Sequence, residues 1–224
     1  MTDKIKVGLI FGGNSSEYEV SIMSAHNIYE GIDTNKFDVY PMWITNDGYL
    51  ANDADSRKVL DNPKMEVANP HKVANISNIV ELKDRPEIDV FFPIVHGNLG
   101  EDGCLQGLFR VLDKPFVGDD VLAAAVTMDK EMTKILAQRA GVPVAKWIAV
   151  KRFEYNDPDN KKLDYEYVAS QLGSDLFVKP SNQGSSVGVS HVTNEKEYKV
   201  ALAEAFKYDD KVLVEETVHG TEVE

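Results

Sequence analysis

The chain has 224 residues, of which 43% are hydrophobic and 9% aromatic, and its formal net charge is −13. This length suits one large domain or two modest ones, each with its own core. The acidic balance argues against a general nucleic-acid binder or a binder of anionic membranes, because both need a surplus of Lys and Arg, although a local basic pocket for a charged ligand stays possible.

The number and spacing of cysteines and histidines and the length of the apolar runs indicate the cellular compartment. The single cysteine, Cys104, cannot form a disulfide within the chain, and the five histidines lack zinc-site spacing. The apolar run near the N-terminus is about five residues long, whereas a signal-peptide core needs roughly 7–15. No run approaches membrane-spanning length. We therefore expect a reducing, cytoplasmic setting.

The first 120 residues begin with a strand, a glycine turn and a helix. The apolar, β-branched run at 5–11 predicts a buried parallel strand that stops at two glycines. Residues 14–16 are good N-cap types, and Glu17 falls in the first turn of the predicted helix.

More elements of the same kind follow. We predict strands at 37–44, 88–95 and 115–118 and a short amphipathic helix at 104–113. An Asp-Gly turn after the second strand predicts a hairpin, and residues 51–87 look like an irregular connection with one or two short elements. The alternation of strands and helices predicts an open parallel α/β sheet.

The pattern changes near residue 120, where we place a domain boundary. A helix ends at Gly141, which fits the C′ position, with Pro143 two residues later. The elements predicted after it are a strand at 146–152, a helix at 164–173, a strand–glycine loop–strand unit at 175–192, a helix at 194–208 and a strand at 211–216.

The stretch "KPSNQGSSVG" combines Lys179 with glycines and serines. It is either a flexible polar hairpin tip or a lid whose backbone N–H groups wrap an anion. Ser185 and Ser186 supply donors, and Lys179 ends an apolar strand, where a charge needs a partner. These features favour the lid.

Lys130 lies in the first turn of a predicted helix. A cation there opposes the helix macrodipole at a cost of roughly 0.3–1 kcal/mol. Either Asp129 and Glu131 neutralise Lys130 locally, or it points at an anion by the helix N-terminus, where phosphates bind well. Lys134, one turn later, adds like-charge repulsion.

Two more segments carry polar groups at strand ends. "HGNLGEDG" follows a buried strand, where open α/β sheets place ligands. Its residues Glu101 and Asp102 cap the next helix, line a pocket with His96, or do both. Glu17 either stabilises the helix dipole or receives a substrate ammonium. The acidic segment 212–222 is either a solvated strand end or a set of groups for a flat base and a diol.

Together and in order, these segments resemble the D-alanine–D-alanine ligases of the ATP-grasp superfamily. The resemblance covers nearly the whole chain and rests on "GGNSSEYEVS", "HGNLGEDGCLQG", "TMDKEMTK", "VKPSNQGSSVGVS" and "VEETVHGTEVE". It implies an α/β fold: a Rossmann-like, open parallel-sheet domain at 1–120, a central α+β ATP-grasp subdomain at 121–218, and the start of a further ATP-grasp domain at 219–224.

The resemblance also implies an activity. In that family ATP phosphorylates the carboxylate of one D-alanine, and the amine of a second attacks the acylphosphate, which gives a dipeptide precursor of peptidoglycan for the cell wall. Cofactors would be ATP and Mg²⁺ or Mn²⁺. The expected partners are ATP, D-alanine and a second copy in a homodimer, without nucleic acid or membrane.

The resemblance assigns roles residue by residue. Glu17 would bind the ammonium of the first D-alanine, with His96 nearby, and Ser185 would link to Glu17. The remaining assignments concern ATP: Lys130 and Lys179 at the phosphates, Ser185 and Ser186 in the lid, Glu215, Glu216 and Val218 at the adenine, and Glu222 at the ribose.

The sequence departs from the family pattern at Glu224, where it stops before the segment that carries the metal ligands and an arginine for the transition state. We expect this chain alone to be an inactive N-terminal part, with no metal ligands of its own. The alternatives are a D-alanine–D-lactate ligase or another ATP-grasp ligase, and a nucleotide-binding module without chemistry. The absence of the G-x-G-x-x-G spacing makes a nicotinamide-dependent dehydrogenase the weakest interpretation.

Overall fold

A computed structural model describes residues 3–65, 67, 70–75, 87–221 and 223 of the chain. These residues form two compact units, 1–125 and 126–224. The assignment of 1–120, 121–218 and 219–224 to separate functional domains stays a prediction. No helix in the described ranges is both long and apolar enough to cross a membrane.

The first unit is built on a five-stranded sheet with the order β4-β3-β2-β1-β5. Strands β1, β2 and β5 run parallel, while β3 and β4 are antiparallel additions at one edge. The elements are β1 (Ile5–Gly12), α1 (Tyr18–Gly31), β2 (Phe37–Ile44), β3 (Tyr49–Ala51), α2 (Asp53–Asp61), β4 (Lys72–Asn75), β5 (Val90–Pro93) and α3 (Cys104–Val111), and α4 (Val121–Met128) runs across the division between the two units.

Both faces of this sheet are covered, as its continuous apolar strands require. Leu9 and Phe11 of β1 point to one face, where they join Ile22 and Ala25 of α1 in a buried cluster. Ile10 points to the opposite face, where the buried residues of a second cluster come from β2, β5 and α3. The open parallel sheet predicted from the sequence is confirmed, with the predicted hairpin at its edge.

Three local features of this part of the chain differ from the sequence prediction. Helix α1 begins at Tyr18 and its N-cap is Glu17, so Glu17 precedes the first turn and residues 14–16 do not cap the helix. The strand expected at 115–118 is only a parallel bridge between Phe91 and Phe116. Helix α4 was not predicted, because "VLAAAVTM" lacks a polar face that would reveal a helical period.

The second unit holds an antiparallel sheet with the order β6-β9-β7-β8. Helices cover one face of it. The elements are α5 (Lys130–Arg139), β6 (Trp147–Lys151), α6 (Arg152–Tyr155), a 3₁₀ turn (Lys161–Leu163), α7 (Tyr165–Leu172), β7 (Leu176–Pro180), β8 (Ser190–Val192), α8 (Glu195–Ala205) and β9 (Lys211–Glu216). The predicted strand–loop–strand unit is present, although its second strand begins at Ser190 and not at 187.

Side-chain alternation divides the two faces of this sheet. Val212 and Val214 of β9 are fully buried in a core cluster with Tyr198 of α8. Lys211, Leu213 and Glu215 alternate with them and therefore point to the opposite face. Charged residues thus collect on the face that the core does not use. An α/β unit followed by an α+β unit is the fold class that the sequence predicted.

Candidate active site

The carboxyl end of β1 is shaped by two glycines in left-handed conformations, with φ of 89° at Gly12 and 98° at Gly13. A Cβ at Gly12 would lie 2.1 Å from the carbonyl oxygen of Ile44, so no side chain fits there. The chain therefore turns sharply off the strand and brings the start of α1 over the edge of the sheet, where parallel sheets bind ligands.

Serine hydroxyls tie this turn to the end of β5. Ser21 is fully buried. Its Oγ accepts from Gly12 N at 2.8 Å and donates to Ile94 O at 2.6 Å. Ser15 Oγ donates to His96 O at 2.8 Å. The segments after β1 and β5 are thus held side by side.

Glu17 and the glycine turn meet at this edge. A Cβ on Gly97 would lie 3.0 Å from Glu17 Oε2, so the Glu17 carboxylate lies against the backbone of residue 97, next to His96. Glycine at 97 also has a φ of 74°. The structure therefore brings together Glu17 and His96, the two residues predicted for the amino-acid side, while their catalytic roles remain predictions.

The ring of His96 has a protein group near each nitrogen. Nε2 lies 3.1 Å from Ser24 Oγ, and Nδ1 lies 3.7 Å from Glu101 Oε1. The other oxygen of Glu101 accepts from Gly97 N at 2.7 Å. Glu101 thus faces the histidine instead of the next helix.

Asp102 has the capping role that the sequence left open. Its Oδ1 accepts from Cys104 N, the first residue of α3, at 3.0 Å. Its Oδ2 accepts from Leu99 N at 2.8 Å. Asp102 therefore caps the next helix, whereas Glu101 faces the ring of His96.

In the second unit, Lys130 is the first residue of α5, and Asp129 is its N-cap. The Lys130 ammonium donates to the carbonyl oxygens of Ser181, at 3.3 Å, and Gln183, at the start of the glycine loop. Burial lowers the pKa of Lys130 below its usual value, and the neighbouring charge of Lys179 lowers it further. Lys130 therefore lies beside the loop and close to a second cation.

The acids that flank Lys130 are paired with another lysine. Lys211 Nζ lies 2.6 Å from Asp129 Oδ2 and 2.9 Å from Glu131 Oε2. Asp129 also accepts from Ser181 Oγ at 3.0 Å. Asp129 and Glu131 therefore form their direct ion pairs with Lys211, while Asp129 acts on Lys130 only through its charge.

Glu215 lies between two lysines. Its Oε2 is 2.6 Å from Lys179 Nζ, and its Oε1 is 3.2 Å from Lys134 Nζ, although the latter contact lacks hydrogen-bond geometry. The Glu215 side chain is only 8% exposed. Lys134 also donates to Ala145 O at 3.0 Å and lies 5.3 Å from the centroid of the Trp147 ring.

These contacts bring three cations around one buried carboxylate. Lys130, Lys134 and Lys179 lie around Glu215, and we call these four residues the lysine cluster. The negative charges of Asp209 and Asp129 also act on Lys130. Because these charges are partly buried, dissolved salt screens them less than it screens exposed charges. The cluster is therefore suited to an anion, although the whole chain carries a net charge of −13.

The glycine loop connects β7 and β8 beside this cluster. Ser185 and Ser186 both have positive φ, 47° and 60°, as does Gly188 at 70°. A Cβ at Gly188 would lie 2.8 Å from side-chain atoms of Pro180 and Tyr208. Left-handed conformations at two serines cost of order 1–3 kcal/mol each, and such residues cluster at active sites, ligand clamps and switch regions.

The remaining predicted ATP residues lie at and after the end of β9. Glu216 Oε1 accepts from Lys146 N at 2.7 Å, and Val218 is 69% exposed. Glu222 lies outside the described residues. Ser185 and Glu17 belong to different units, so the link between them stays a prediction.

Sequence reasoning missed three residues of these sites. Ser24 follows Ser21 by three positions on α1, which is a helical spacing that marks a common face. Lys134 was interpreted only as a repulsive neighbour of Lys130, and Lys211 only as the start of a strand. The carboxylate partner of Lys134 is Glu215, and that of Lys211 is Asp129. Both lie 80 or more residues away in sequence, so no local pattern could reveal these pairs.

Comparisons with known proteins point to one family. The family described as "D-ala D-ala ligase N-terminus" matches residues 6–119, and "D-ala D-ala ligase C-terminus" matches residues 136–224. A D-alanine--D-alanine ligase of Lactobacillus gasseri is 99% identical over the whole chain, which spans 62% of that relative's length.

Two solved structures are also similar. The VanG D-Ala:D-Ser ligase from Enterococcus faecalis has a TM-score of 0.80 and 38% identity, with 97% of this chain and 64% of that chain covered. The D-alanine-D-alanine ligase from Coxiella burnetii has a TM-score of 0.76 and 32% identity, with 97% and 65% covered.

Proposed function

The chain belongs to the D-alanine–D-alanine ligase family, and from this premise we propose that it serves the ATP-dependent joining of two D-alanines for peptidoglycan synthesis. ATP would phosphorylate the carboxylate of the first D-alanine. The amine of the second would attack the acyl carbon and release phosphate. The observation that carries this proposal is the lysine cluster beside the glycine loop.

The lysine cluster has the charge that phosphoryl transfer needs. Charge develops on the transferred phosphoryl group, and preorganised cations stabilise it more strongly in a site that excludes water. Lys130 and Lys179 would hold the phosphates, and the loop with Ser185 and Ser186 would cover them. The contacts of Lys130 with loop carbonyls would then be exchanged for contacts with phosphate oxygens.

The first unit would hold the first D-alanine. Glu17 offers a carboxylate to the substrate ammonium, and His96 lies at the same edge of the sheet. The chemistry of the donors fits an amino acid, because one end of the site is anionic and the other can donate a hydrogen bond. A metal site does not follow from the described residues, where no group of three or more His, Cys, Asp or Glu is arranged to hold an ion.

The adenine side is expected at the end of β9, near Glu216 and Val218, with Glu222 at the ribose. Both oxygens of Glu215 are already close to lysines. We therefore assign Glu215 chiefly to holding Lys134 and Lys179 in place, and only secondarily to the base.

The identity of the second substrate is a separate matter. The L. gasseri relative is named for D-alanine, whereas the VanG structure is of a D-Ala:D-Ser ligase. We propose D-alanine, because the former relative is 99% identical and the latter 38%. Rates with D-alanine, D-serine and D-lactate as competing second substrates test this choice.

The test of the main proposal uses a hybrid enzyme, in which this chain replaces the matching 224 residues of the L. gasseri relative. We expect D-alanine-dependent phosphate release and formation of the dipeptide. The substitution Lys179→Ala should raise KM for ATP about 10-fold to 100-fold, because a hydrogen bond to a charged group contributes roughly 1.5–3 kcal/mol.

The matched control is Lys199→Ala, which removes an exposed lysine that pairs with Glu195 on the surface of α8. This change should leave KM for ATP unaltered. Thermal unfolding of both variants checks that they fold. If Lys179→Ala folds and keeps the KM of the parent hybrid, the phosphate role is wrong. ATP binding without any D-alanine-dependent phosphate release would instead favour a non-catalytic nucleotide module.

The proposal also covers the cellular compartment and the oligomeric state. We propose a cytoplasmic protein that acts as a homodimer with small-molecule substrates and without nucleic acid. The net charge of −13 supports the last part, since it repels a polyanion outside the local lysine cluster. Light scattering of the hybrid enzyme tests the dimer, and a monomer at micromolar concentration would contradict it.

A further inference from the structure

Three serines surround the segment that follows β5. Ser21 Oγ donates to Ile94 O at 2.6 Å, and Ser15 Oγ donates to His96 O at 2.8 Å, so the backbone of 94–96 is fixed from two sides. Ser24 lies one turn after Ser21 on α1, and its Oγ is 3.1 Å from His96 Nε2. The third serine therefore contacts the side chain of His96 and not its backbone.

The second ring nitrogen of His96 faces a carboxylate. Nδ1 lies 3.7 Å from Glu101 Oε1, and Glu101 is held by its other oxygen, which accepts from Gly97 N at 2.7 Å. Glu17, whose carboxylate lies against Gly97, adds further negative charge next to His96. An anionic neighbourhood favours a proton on Nδ1, and the proton on one ring nitrogen determines what the other can do.

These contacts favour one tautomer of the His96 ring. With N–H on Nδ1, Nε2 of the neutral ring is an acceptor, and the Ser24 hydroxyl is the donor that meets it. We propose that Ser24 is a positioning residue that holds His96 with its proton on Nδ1. This inference rests on the proposed function, in which His96 lies beside the first D-alanine.

The tautomer determines which group the His96 ring offers to the substrate. Because Ser24 occupies Nε2, the ring presents Nδ1–H, and at 3.7 Å Glu101 does not form a short hydrogen bond with it. Nδ1–H can therefore donate to the substrate carboxylate. His96 then acts as a hydrogen-bond donor in this site and does not take a proton from the substrate ammonium.

The first test is spectroscopic and needs no activity. In the 224-residue chain with ¹⁵N-labelled histidine at about pH 8.5, where free imidazole is neutral, the nitrogen shifts of His96 should show the Nδ1–H tautomer. Ser24→Ala should move them toward a mixture of tautomers, and Ser24→Thr, which keeps the hydroxyl, should not. His96→Gln identifies the resonances.

The control for the helix is Asn27→Ala, an exposed residue three positions after Ser24 on α1. It should leave the His96 shifts unchanged. An Nε2–H tautomer in the unsubstituted chain, or identical His96 shifts in the chain and in Ser24→Ala, would overturn the positioning role.

The second test is kinetic and uses the hybrid enzyme. Ser24→Ala should raise KM for the first D-alanine roughly threefold to tenfold, the loss expected for one hydrogen bond. KM for ATP and kcat at saturating D-alanine should stay close to their parent values, because the contact is present before the chemical step. Ser24→Thr should restore KM.

The two tests fail in different ways. A hybrid without any D-alanine-dependent phosphate release contradicts the proposed function, while the tautomer measured in the chain still decides the position of the His96 proton. An active hybrid in which Ser24→Ala leaves KM for D-alanine unchanged contradicts the role of Ser24 and leaves the proposed function intact.

Discussion

Glu215 illustrates how one side chain sets the charge of the proposed phosphate site. Its carboxylate is almost fully buried and lies 2.6 Å from Lys179 and 3.2 Å from Lys134. A buried carboxylate is retained only when cations or donors compensate it. Here Lys130 is a third cation near the same carboxylate, which makes the lysine cluster suited to an anion. A lysine at the end of a strand signalled part of this arrangement, because its charge required a partner.

Cys104 allows a prediction about reactivity at the same scale. It is the first residue of α3, where the helix N-terminus would normally lower the pKa of a thiol. Instead, partial burial and the adjacent Asp102 carboxylate raise the pKa of Cys104 to about 11. At pH 8 we expect iodoacetamide to alkylate this exposed cysteine about tenfold more slowly than an ordinary thiol. A higher pKa leaves a much smaller fraction of thiolate, and the greater nucleophilicity of that thiolate compensates only in part.

The rate is measured by mass spectrometry of the intact chain. Asp102→Asn should accelerate alkylation, because it removes the negative charge beside the sulfur. The same chain in urea provides the reference rate of an unperturbed thiol. A native rate equal to or above that reference would contradict the prediction.

At the scale of elements, helix α5 and the base of the glycine loop are tied together by ion pairs. Asp129 caps α5, accepts from Ser181 Oγ and pairs with Lys211 of β9. Because Lys130 N also donates to Ser181 O, the helix start and the loop share one fixed point. The position of the Lys130 ammonium beside the loop depends on this point.

The substitution Asp129→Asn tests the ion pair separately from the cap, because Asn caps helices about as well as Asp. Burial works to raise the pKa of Asp129, but hydrogen bonds from Lys211, Met132 N and Ser181 lower it below its usual value. A depressed folded pKa adds stability above the unfolded value near 3.9, and this stability disappears as pH falls through the folded pKa.

We therefore expect Asp129→Asn to lower the free energy of unfolding by about 1–3 kcal/mol at pH 7. The loss should begin to shrink as pH falls below about 4, where the aspartate of the unfolded chain binds a proton, and should vanish as pH falls through the lower folded pKa. Urea unfolding between pH 3 and pH 7 provides the measurement. Glu204→Gln, which breaks an exposed pair with Lys207, is the control with a small effect. Equal stability of the chain and Asp129→Asn at pH 7 would refute the role of the pair.

Some elements were predictable because their signals are local. The strand at 211–216 has the predicted bounds, and Gly141, with φ of 81°, follows the end of α5 as expected. The start of α1 was not predictable, because Ser15, which resembles an N-cap, bonds to His96 O, a partner in the distant segment that follows β5. Tertiary hydrogen bonds override local cap preference at this point.

At the scale of the whole molecule, the two units have separate sheets and cores. Core residues of the second unit, such as Val150, Val178, Leu202 and Val214, all lie within 126–224. The change in sequence pattern predicts a domain boundary near residue 120, and the two compact units divide between residues 125 and 126. The sequence also indicated which strand ends carry polar groups, whereas pairings such as Lys211 with Asp129 depend on strand order and register, which local patterns do not specify.

Because its sheet and core are self-contained, we expect residues 126–224 to fold as an isolated fragment. Heating should give one cooperative transition in both far-ultraviolet and near-ultraviolet circular dichroism, as a single domain with a packed core does. The fragment should also bind ATP, since the lysine cluster lies wholly within it. ATP at about 100 times its Kd should then raise the free energy of unfolding by about 2.7 kcal/mol.

Two variants of the fragment separate folding from binding. Val178→Asp places a charge in the fully buried centre of β7 and should abolish the cooperative transition. Lys179→Ala, its neighbour on the opposite face, should leave the transition in place and remove most of the stabilisation by ATP. A fragment with secondary structure but no near-ultraviolet signal would show that the second unit depends on the first for its packing.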